Sequence, residues 1–549
     1  MCAYTINGRE SMNDTHIALI IFGVFFVLAG CASVVPSTRY LKSPPESIPF
    51  TSFNPLDSPI ALPYAKELAQ AQHSSGAMLI SDGSFAFLHR AALARRAKFS
   101  LEIQTYIYKN DIASRVLMHE IWLAANRGVQ VKMLVDDNGL DSDYSDIIAL
   151  NNHPNIEVKI FNPYRNRIKL FRLPEMIFHF NRINRRMHNK LFIADSVGLI
   201  IGGRNIADNY FNNKEDVNFS DTDAFFIGDV ASQARESFRA YWDYHRAIPV
   251  ELLPSKRKMK KFMKDYNEII AGLEADSNEW ERYESAIVEF LRQYENRENT
   301  IYWGDARLVA DDPTKIDAKN PTSKVYEALK QILPHTTDSM YISSAYLVPG
   351  KRGLAQIQES IEKGISVYIL TNSLSSTDSL PVYAGWERYR DKLARMGAQV
   401  YEYRKGASKI KVKGKLTSGA SLHSKTLVFD KKIAWIGSFN LDPRSSIINT
   451  EVVAIFDNEN FAKESTKLIH IDMQSAWHIQ LQGNKTLWCA QNDPNDENKD
   501  EDTNASEHKK SGTKWIDEVG GYCTSTMPDT TFWLRSLNFF MRIFPESQI

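Results

Sequence analysis

The chain has 549 residues, 66 basic and 66 acidic, so its formal net charge is zero, and 43% of its residues are hydrophobic. Zero net charge removes any global field that would draw in nucleic acid, and none is expected as a partner. The four cysteines form no CxxC or Cys/His cluster with metal-ligand spacing, and a length well beyond 100–200 residues calls for several domains.

In chain order, the first element is a continuous apolar run from Ile17 to Gly30, ending Leu28-Ala29-Gly30-Cys31. It is short of the roughly 20 apolar residues a bilayer span needs. It matches the hydrophobic part of a signal peptide. Its ending resembles a bacterial lipobox, in which the cysteine receives diacylglycerol, so residues 1–30 read as a signal peptide and Cys31 as a lipidation site. An uncleaved signal anchor is the alternative. Residues 31–74 are rich in Pro and Ser, lack period, and read as a tether. An α/β domain is expected over 75–249, with a strand at Ser100–Tyr108, a helix at about Ile112–Asn126 and a strand at Val131–Val135. Between Tyr164 and Arg186, arginines 165, 167, 172, 182, 185 and 186 mix with Leu170, Phe171, Ile177, Phe178 and Phe180. That composition suits an interfacial segment or an ordinary cover for the core. Residues 250–320 read as a charged, helical connector packed on the body.

A second domain is expected over 321–475, with a strand from Ser339, a helix to Glu362 and a strand at Val367–Leu370. The internal repeat is offset by 240 residues at Tyr106 and Tyr346, 236 at Gly128 and Gly364, and 235 at His188 and His423. Residues 476–549 form a C-terminal extension. It holds Cys489 and Cys523, which could pair if the chain is exported, and a polar stretch from about Gln491 to Gly512 with the composition of a disordered loop. It ends in an aromatic segment, Phe532–Phe544, carrying two arginines, which could lie on a membrane or dock on the body. The acidic run between Asp493 and Glu507 leaves the remainder mildly basic. Such a remainder suits phosphates or anionic lipid heads, or is simply solvated.

The repeat carries a motif. His188-x-Lys190-x4-Asp195 recurs as His423-x-Lys425-x4-Asp430, followed by Gly202-Gly203-Arg204-Asn205 and Gly437-Ser438-Phe439-Asn440. Alternation along a strand puts His and Lys on one face, so one phosphate can meet both. A neutral imidazole can attack phosphorus and form a phospho-histidine, while a second, protonated imidazole protonates the leaving alcohol and then deprotonates the incoming one. Lys190 and Lys425 neutralise the non-bridging oxygens, and Asn205, Asn440 and Ser438 are candidates to bind the same group. Asp195 and Asp430, five residues beyond their lysines, belong to the motif but read as architectural. Aligning Thr222-Asp223-Ala with Thr450-Glu451-Val nominates Asp223 and Glu451 as the carboxylates that orient the imidazoles. The chemistry requires no metal or other cofactor.

These motifs resemble those of the phospholipase D superfamily. The strings His188–Asp195, Gly202–Phe211 and Gly437–Ser445 are similar to bacterial cardiolipin synthases of the C type. The resemblance implies two α/β/α-sandwich domains forming a pseudo-twofold bilobal body with the active site at their interface. It implies shared nucleophile and acid/base roles for His188 and His423, with His188 as nucleophile. Membrane phospholipids, phosphatidylglycerol with or without phosphatidylethanolamine, are then the expected substrates, and a membrane surface the expected partner. The motifs alone do not separate transfer from hydrolysis or from cleavage of nucleic acid. An export signal, a lipid anchor and zero net charge favour a lipid substrate at the cell envelope.

Overall fold

The computed structural model describes residues 47–70, 75–140, 144–165, 172–214, 216–253, 277–296, 300–405, 411–412, 415–416, 419–490, 514–516 and 522–546. The apolar run, Cys31, part of the tether, Arg167 with the rest of residues 166–171, and the polar stretch after Ala490 lie outside these residues.

The strands of the first half are β1 (Ser75–Ile80), β2 (Ser100–Tyr108), β3 (Gln130–Leu140), β4 (Ile156–Phe161), β5 (Leu191–Ala194), β6 (Gly198–Gly202), β7 (Val217–Ser220), β8 (Asp223–Gly228) and β9 (Ala247–Pro249). Those of the second half are β10 (Tyr302–Ala310), β11 (Ser339–Ser344), β12 (Ser366–Asn372), β13 (Gln399–Tyr403), the small hairpin β14 (Lys411–Val412) and β15 (Lys415–Leu416), β16 (Gly419–Leu422), β17 (Lys425–Phe429), β18 (Ile433–Gly437), β19 (Val452–Asp457) and β20 (Ala476–Gln482). The extension adds β21 (Lys485–Ala490), β22 (Lys514–Ile516) and β23 (Tyr522–Thr524).

Hydrogen bonding runs β9-β4-β3-β2-β5-β6-β8-β1 in the first half and β10-β19-β18-β17-β11-β12-β13-β20 in the second. The second order mirrors the first, strand for strand. The edge strands β1 and β10 pair antiparallel, Gly76 opposite Trp303, so the two sheets are one continuous surface. A domain boundary at residue 321 therefore misses a strand. β10 belongs to the second sheet, although its sequence sits in the segment expected to be a helical connector. The helical part of that segment, Ser277–Glu295, does pack on the body, with Phe290 against Phe85 and His89, and Tyr283 against Phe87.

Helices cover both faces. In the first half α1 (Gly83–Arg96) and α2 (Ile112–Asn126) lie on one face and α3 (Asp229–Trp242) on the other. Asp82 and Asp111 cap α1 and α2 by accepting from Phe85 N–H and Ser114 N–H, satisfying orphan donors of the first turns. Helix α4 is Ser277–Glu295. In the second half α5 (Lys324–Ile332), α6 (Gly350–Glu362) and α7 (Leu380–Met396) lie outside and α8 (Glu459–Gln474) inside. One core cluster contains Leu191, Leu199 and Phe238 from the first half with Val428, Ile436 and Phe461 from the second. The apolar inner faces of the two halves thus bury one another, which fixes the ends of both motif strands relative to each other.

Candidate active site

Each motif occupies a hairpin. β5 and β6 are joined by Asp195-Ser196, with φ of 51° and 54°, and β17 and β18 by Asp430-Lys431, both at 53°. Two consecutive left-handed residues make the tight turn whose twist suits antiparallel strands, and Asp tolerates that conformation. The Asp195 carboxylate accepts from the N–H groups of Lys98, Phe99 and Ser100 and from Ser58 Oγ. Asp430 accepts from the N–H groups of Thr337, Asp338 and Ser339. Each carboxylate pins its hairpin to the start of the neighbouring strand, β2 or β11. The five-residue step from Lys to Asp is the length of the strand, about 16 Å, so neither aspartate reaches the phosphate site at the other end.

At that other end the halves exchange strands. β16, which leads into His423, pairs in parallel with β7 of the first half, and His423 N–H donates to Ser220 O at 2.7 Å. In the mirror position, Met187 bridges Thr450, and His188 N–H donates to Thr450 O at 3.0 Å. Both imidazoles are consequently oriented across the domain boundary. His188 Nδ1 donates to Glu451 Oε2 at 2.9 Å, and His423 Nδ1 donates to Asp221 Oδ2 at 2.7 Å. A carboxylate on Nδ1 leaves Nε2 free for chemistry. Tyr106 packs edge-on against His188, and Tyr210 against His423, at ring centroid distances of 5.1 Å each.

The residue orienting His423 is thus Asp221, and not Asp223. The strand register explains the difference. Gly202 pairs with Asp223 but Gly437 pairs with Val453, so Asp221 is the counterpart of Glu451. Matching the two Thr-acid pairs slips the halves by two residues, and a slip of two keeps every side chain on its face. Counting from the glycine pairs would have revealed it. Asp223 instead forms a buried ion pair with Arg90 at 2.9 Å and lies 3.6 Å from Arg204.

Other candidates take different places. The glycine pair in the first motif makes room for carboxylates: a Cβ on Gly203 would stand 2.3 Å from Asp221 Oδ1, and one on Gly202 2.0 Å from Asp223 Oδ1. Ser438 stands where Gly203 does, and its Oγ donates to Glu451 Oε2, so it steadies the carboxylate. Asn205 is also committed, accepting from Ile107 N–H at 3.0 Å and donating to the Tyr210 hydroxyl at 2.8 Å. It holds the ring that packs on His423. Asn440 Oδ1 is buried without a hydrogen-bond partner among the described residues. Arginines 182, 185 and 186 are spent inside the protein. Arg186 is buried against Asp136 and Asn162 O, Arg185 donates to Ile316 O and Ala318 O, and Arg182 pairs with Glu175. Among the described residues of that segment the exposed side chains are the apolar Ile177, Phe178 and Phe180 and the polar Asn181.

The pocket is buried, and this shifts its titrations. Burial pushes His188 down to about 4, with Glu451 opposing and Lys190 adding to the shift. His188 is therefore a neutral imidazole at neutral pH, the form that can attack. Burial also pushes His423 well below its usual value, and Lys425 pushes the same way. A phosphodiester anion bound between the rings would favour a proton on His423. Burial works against ionised Glu451, but the His188 ring and Lys190 keep it below the usual carboxylate range. Lys190 and Lys425 donate to the carbonyls of His188 and His423 at 2.6 and 2.5 Å, and burial brings Lys190 down to about 7. Among the described residues no group of three or more His, Cys, Asp or Glu side chains is placed to hold a metal.

The family model described as cardiolipin synthase, PLD-like domain, matches residues 91–242 and 329–473. A protein of Helicobacter pylori without an assigned function is 42% identical over 97% of this chain and 100% of its own length. Cardiolipin synthase C of Escherichia coli is 37% identical over 72% of this chain and 84% of its own. The crystal structure of phosphatidylserine synthase from Haemophilus influenzae superposes with a TM-score of 0.51 at 12% identity, covering 75% of this chain and 91% of that one, which is a likeness of fold. The fold and the paired motif define a phospholipase D-like enzyme. The chain belongs to the cardiolipin synthase family of that superfamily, whose members are phosphatidyltransferases.

The low value at Lys190 gives a pH prediction. On bis(p-nitrophenyl) phosphate, whose leaving group needs no acid, kcat/KM is expected to fall as pH rises above about 7, where Lys190 loses its charge, and to fall again below about 4, where His188 gains a proton. Lys190→Arg, whose side chain stays charged, will be slower but will lose the alkaline limb. An alkaline limb unchanged in that variant would assign it to another group.

Proposed function

We propose that this protein makes cardiolipin, moving a phosphatidyl group from a donor phospholipid to the glycerol hydroxyl of phosphatidylglycerol through a phosphatidyl-histidine. The observation that carries the proposal is the pair of imidazoles with carboxylates on Nδ1 and buried lysines beside them. His188 Nε2 attacks phosphorus as the P–O bond to glycerol or ethanolamine breaks, and His423 gives its Nε2 proton to that oxygen. The acceptor hydroxyl then attacks the phosphorus, passes its proton to His423, and the P–N bond breaks. Lys190 and Lys425 stabilise the charge on the non-bridging oxygens throughout.

A lipid substrate is supported by the C-terminal helix α9 (Phe532–Met541). It faces the body with its polar side. Asn538 donates to Glu387 at 3.1 Å, Arg542 pairs with Glu387 at 2.7 Å, and Tyr389 donates to Glu546 at 2.8 Å. Its apolar side points outward, with Trp533 80% exposed and Phe539 61% exposed. A soluble protein rarely leaves such a patch uncovered, and an aromatic face beside arginines suits a bilayer interface. Among the described residues no helix is long and apolar enough to cross a membrane. We place the enzyme in the cell envelope facing the periplasm, held by a lipid on Cys31. The disulfide between Cys489 and Cys523, joining β21 to β23, fits an oxidising compartment.

The deciding experiment supplies the full-length protein with vesicles of phosphatidylglycerol, with and without phosphatidylethanolamine, and separately with plasmid DNA. Diphosphatidylglycerol is the expected product. Phosphatidic acid alone would make water the acceptor, and nicked DNA with inert lipid would remove the lipid reading. Trp533→Glu with Phe540→Glu should weaken vesicle association and leave turnover of a soluble phosphodiester unchanged; unaltered vesicle binding would exclude α9 as the contact.

A further inference from the structure

A cavity of about 540 Å3 opens in the second half between α5, α6 and the loop that follows the second motif. Its size lies in the range of small-molecule sites. Its apolar walls are Leu329 and Ile357 from the two helices, Met340 and Leu427 from the sheet, and Phe439 and Leu441 from the loop, with Glu327, Gln356 and Asp442 among the polar lining. Leu427 stands two residues beyond Lys425, about 7 Å along the same strand. Phe439 and Leu441 flank Asn440 and follow Ser438, which holds Glu451. The strand and the loop that line the cavity are thus the ones that carry Lys425, Ser438 and Asn440.

Apolar walls of this extent forfeit dispersion contacts where nothing packs against them. The cavity is suited to an apolar ligand reaching out from the catalytic loop. At its rim are Ile447, 46% exposed, and the exposed cations Lys351 and Arg352. An apolar interior that opens to solvent past a charged rim suits a single fatty chain. We infer that this cavity takes one acyl chain of the glycerophospholipid whose phosphate lies between His188 and His423. The inference rests on the lipid reading above and deepens it. Chain occupancy would hold the phosphorus in line with His188 Nε2, so binding energy far from the reacting bond would raise turnover.

The test compares full-length wild type with Ile357→Trp, which fills the cavity, and Ile447→Glu, which puts a charge at its mouth and is too exposed to endanger folding. Each is assayed on dioleoyl- and dihexanoyl-phosphatidylglycerol in mixed micelles and on bis(p-nitrophenyl) phosphate. The wild type should favour the long-chain lipid in kcat/KM by about tenfold or more. Both variants should lose that preference and keep turnover of the chromogenic ester within about twofold. A preference retained in both variants would overturn the inference, as would an equal loss on all three substrates in Ile447→Glu. If the wild type cleaves the chromogenic ester but no phospholipid, the lipid reading fails. The cavity is then judged by fluorescence of cis-parinaric acid: saturable binding lost in both variants supports an acyl site, and absent or unaltered binding overturns it.

Discussion

Asp221→Asn will lower turnover by on the order of 10^3- to 10^4-fold with little change in KM. The carboxylate accepts from His423 Nδ1 at 2.7 Å and has no other side chain to orient. An amide keeps the shape of the group but loses its charge, and it can present an N–H where the ring needs an acceptor. The imidazole then loses both its tautomer and its support when protonated. Asp223→Asn, two residues away, will behave differently. It removes the charge partner of buried Arg90, and leaving a buried charge unpaired typically costs about 3–5 kcal/mol. The expected signature is a lowered Tm with near-normal turnover in the folded fraction. Measuring kcat and thermal unfolding on both variants checks the assignment. A folded Asp223→Asn protein without turnover, beside an active Asp221→Asn, would return the role to Asp223.

His423→Asn will trap phosphorus on the enzyme. With a natural lipid the variant will lose about 10^2- to 10^4-fold in rate, because the leaving alkoxide finds no proton. A donor bearing p-nitrophenolate as leaving group needs no acid, so its first step survives while the second, which needs a base on the acceptor hydroxyl, stalls. An acid-labile adduct on the peptide containing His188 should accumulate and be read by mass spectrometry. His188→Asn should give neither adduct nor turnover. Burial lowers both imidazoles, so the position of the adduct, and not the titration, assigns the nucleophile. An adduct on His423 in the wild type would exchange the two roles.

Much of this was legible in the sequence, and the parts that were not have physical reasons. The motif hairpins, β2 and α2 follow from alternation, helical period and a two-residue turn, all local signals. The second domain's first strand, β10, was hidden because its sequence continues a charged helical stretch, and only pairing with β1 and β19 makes it a strand. Asp221 was hidden by parity, since a slip of two residues leaves every face assignment intact. Asn205 and Ser438 looked like ligands for phosphate because polar side chains beside a glycine pair commonly are. The structure commits both to holding the histidine machinery, Asn205 through Tyr210 and Ser438 through Glu451. The arginines before His188 looked like a surface for anions, yet three of them satisfy buried carbonyls and carboxylates, which no local pattern announces.

The crossing of the two dyads has a consequence in time. The chain is made from its N-terminus, so His188 emerges 263 residues ahead of Glu451, and Asp221 emerges 202 residues ahead of His423. Through that whole interval a finished first half carries His188 with no carboxylate behind it and Asp221 with no ring to hold. A truncated or nicked product has the same defect. Both pairs are therefore complete only when nearly the entire polypeptide is present and docked.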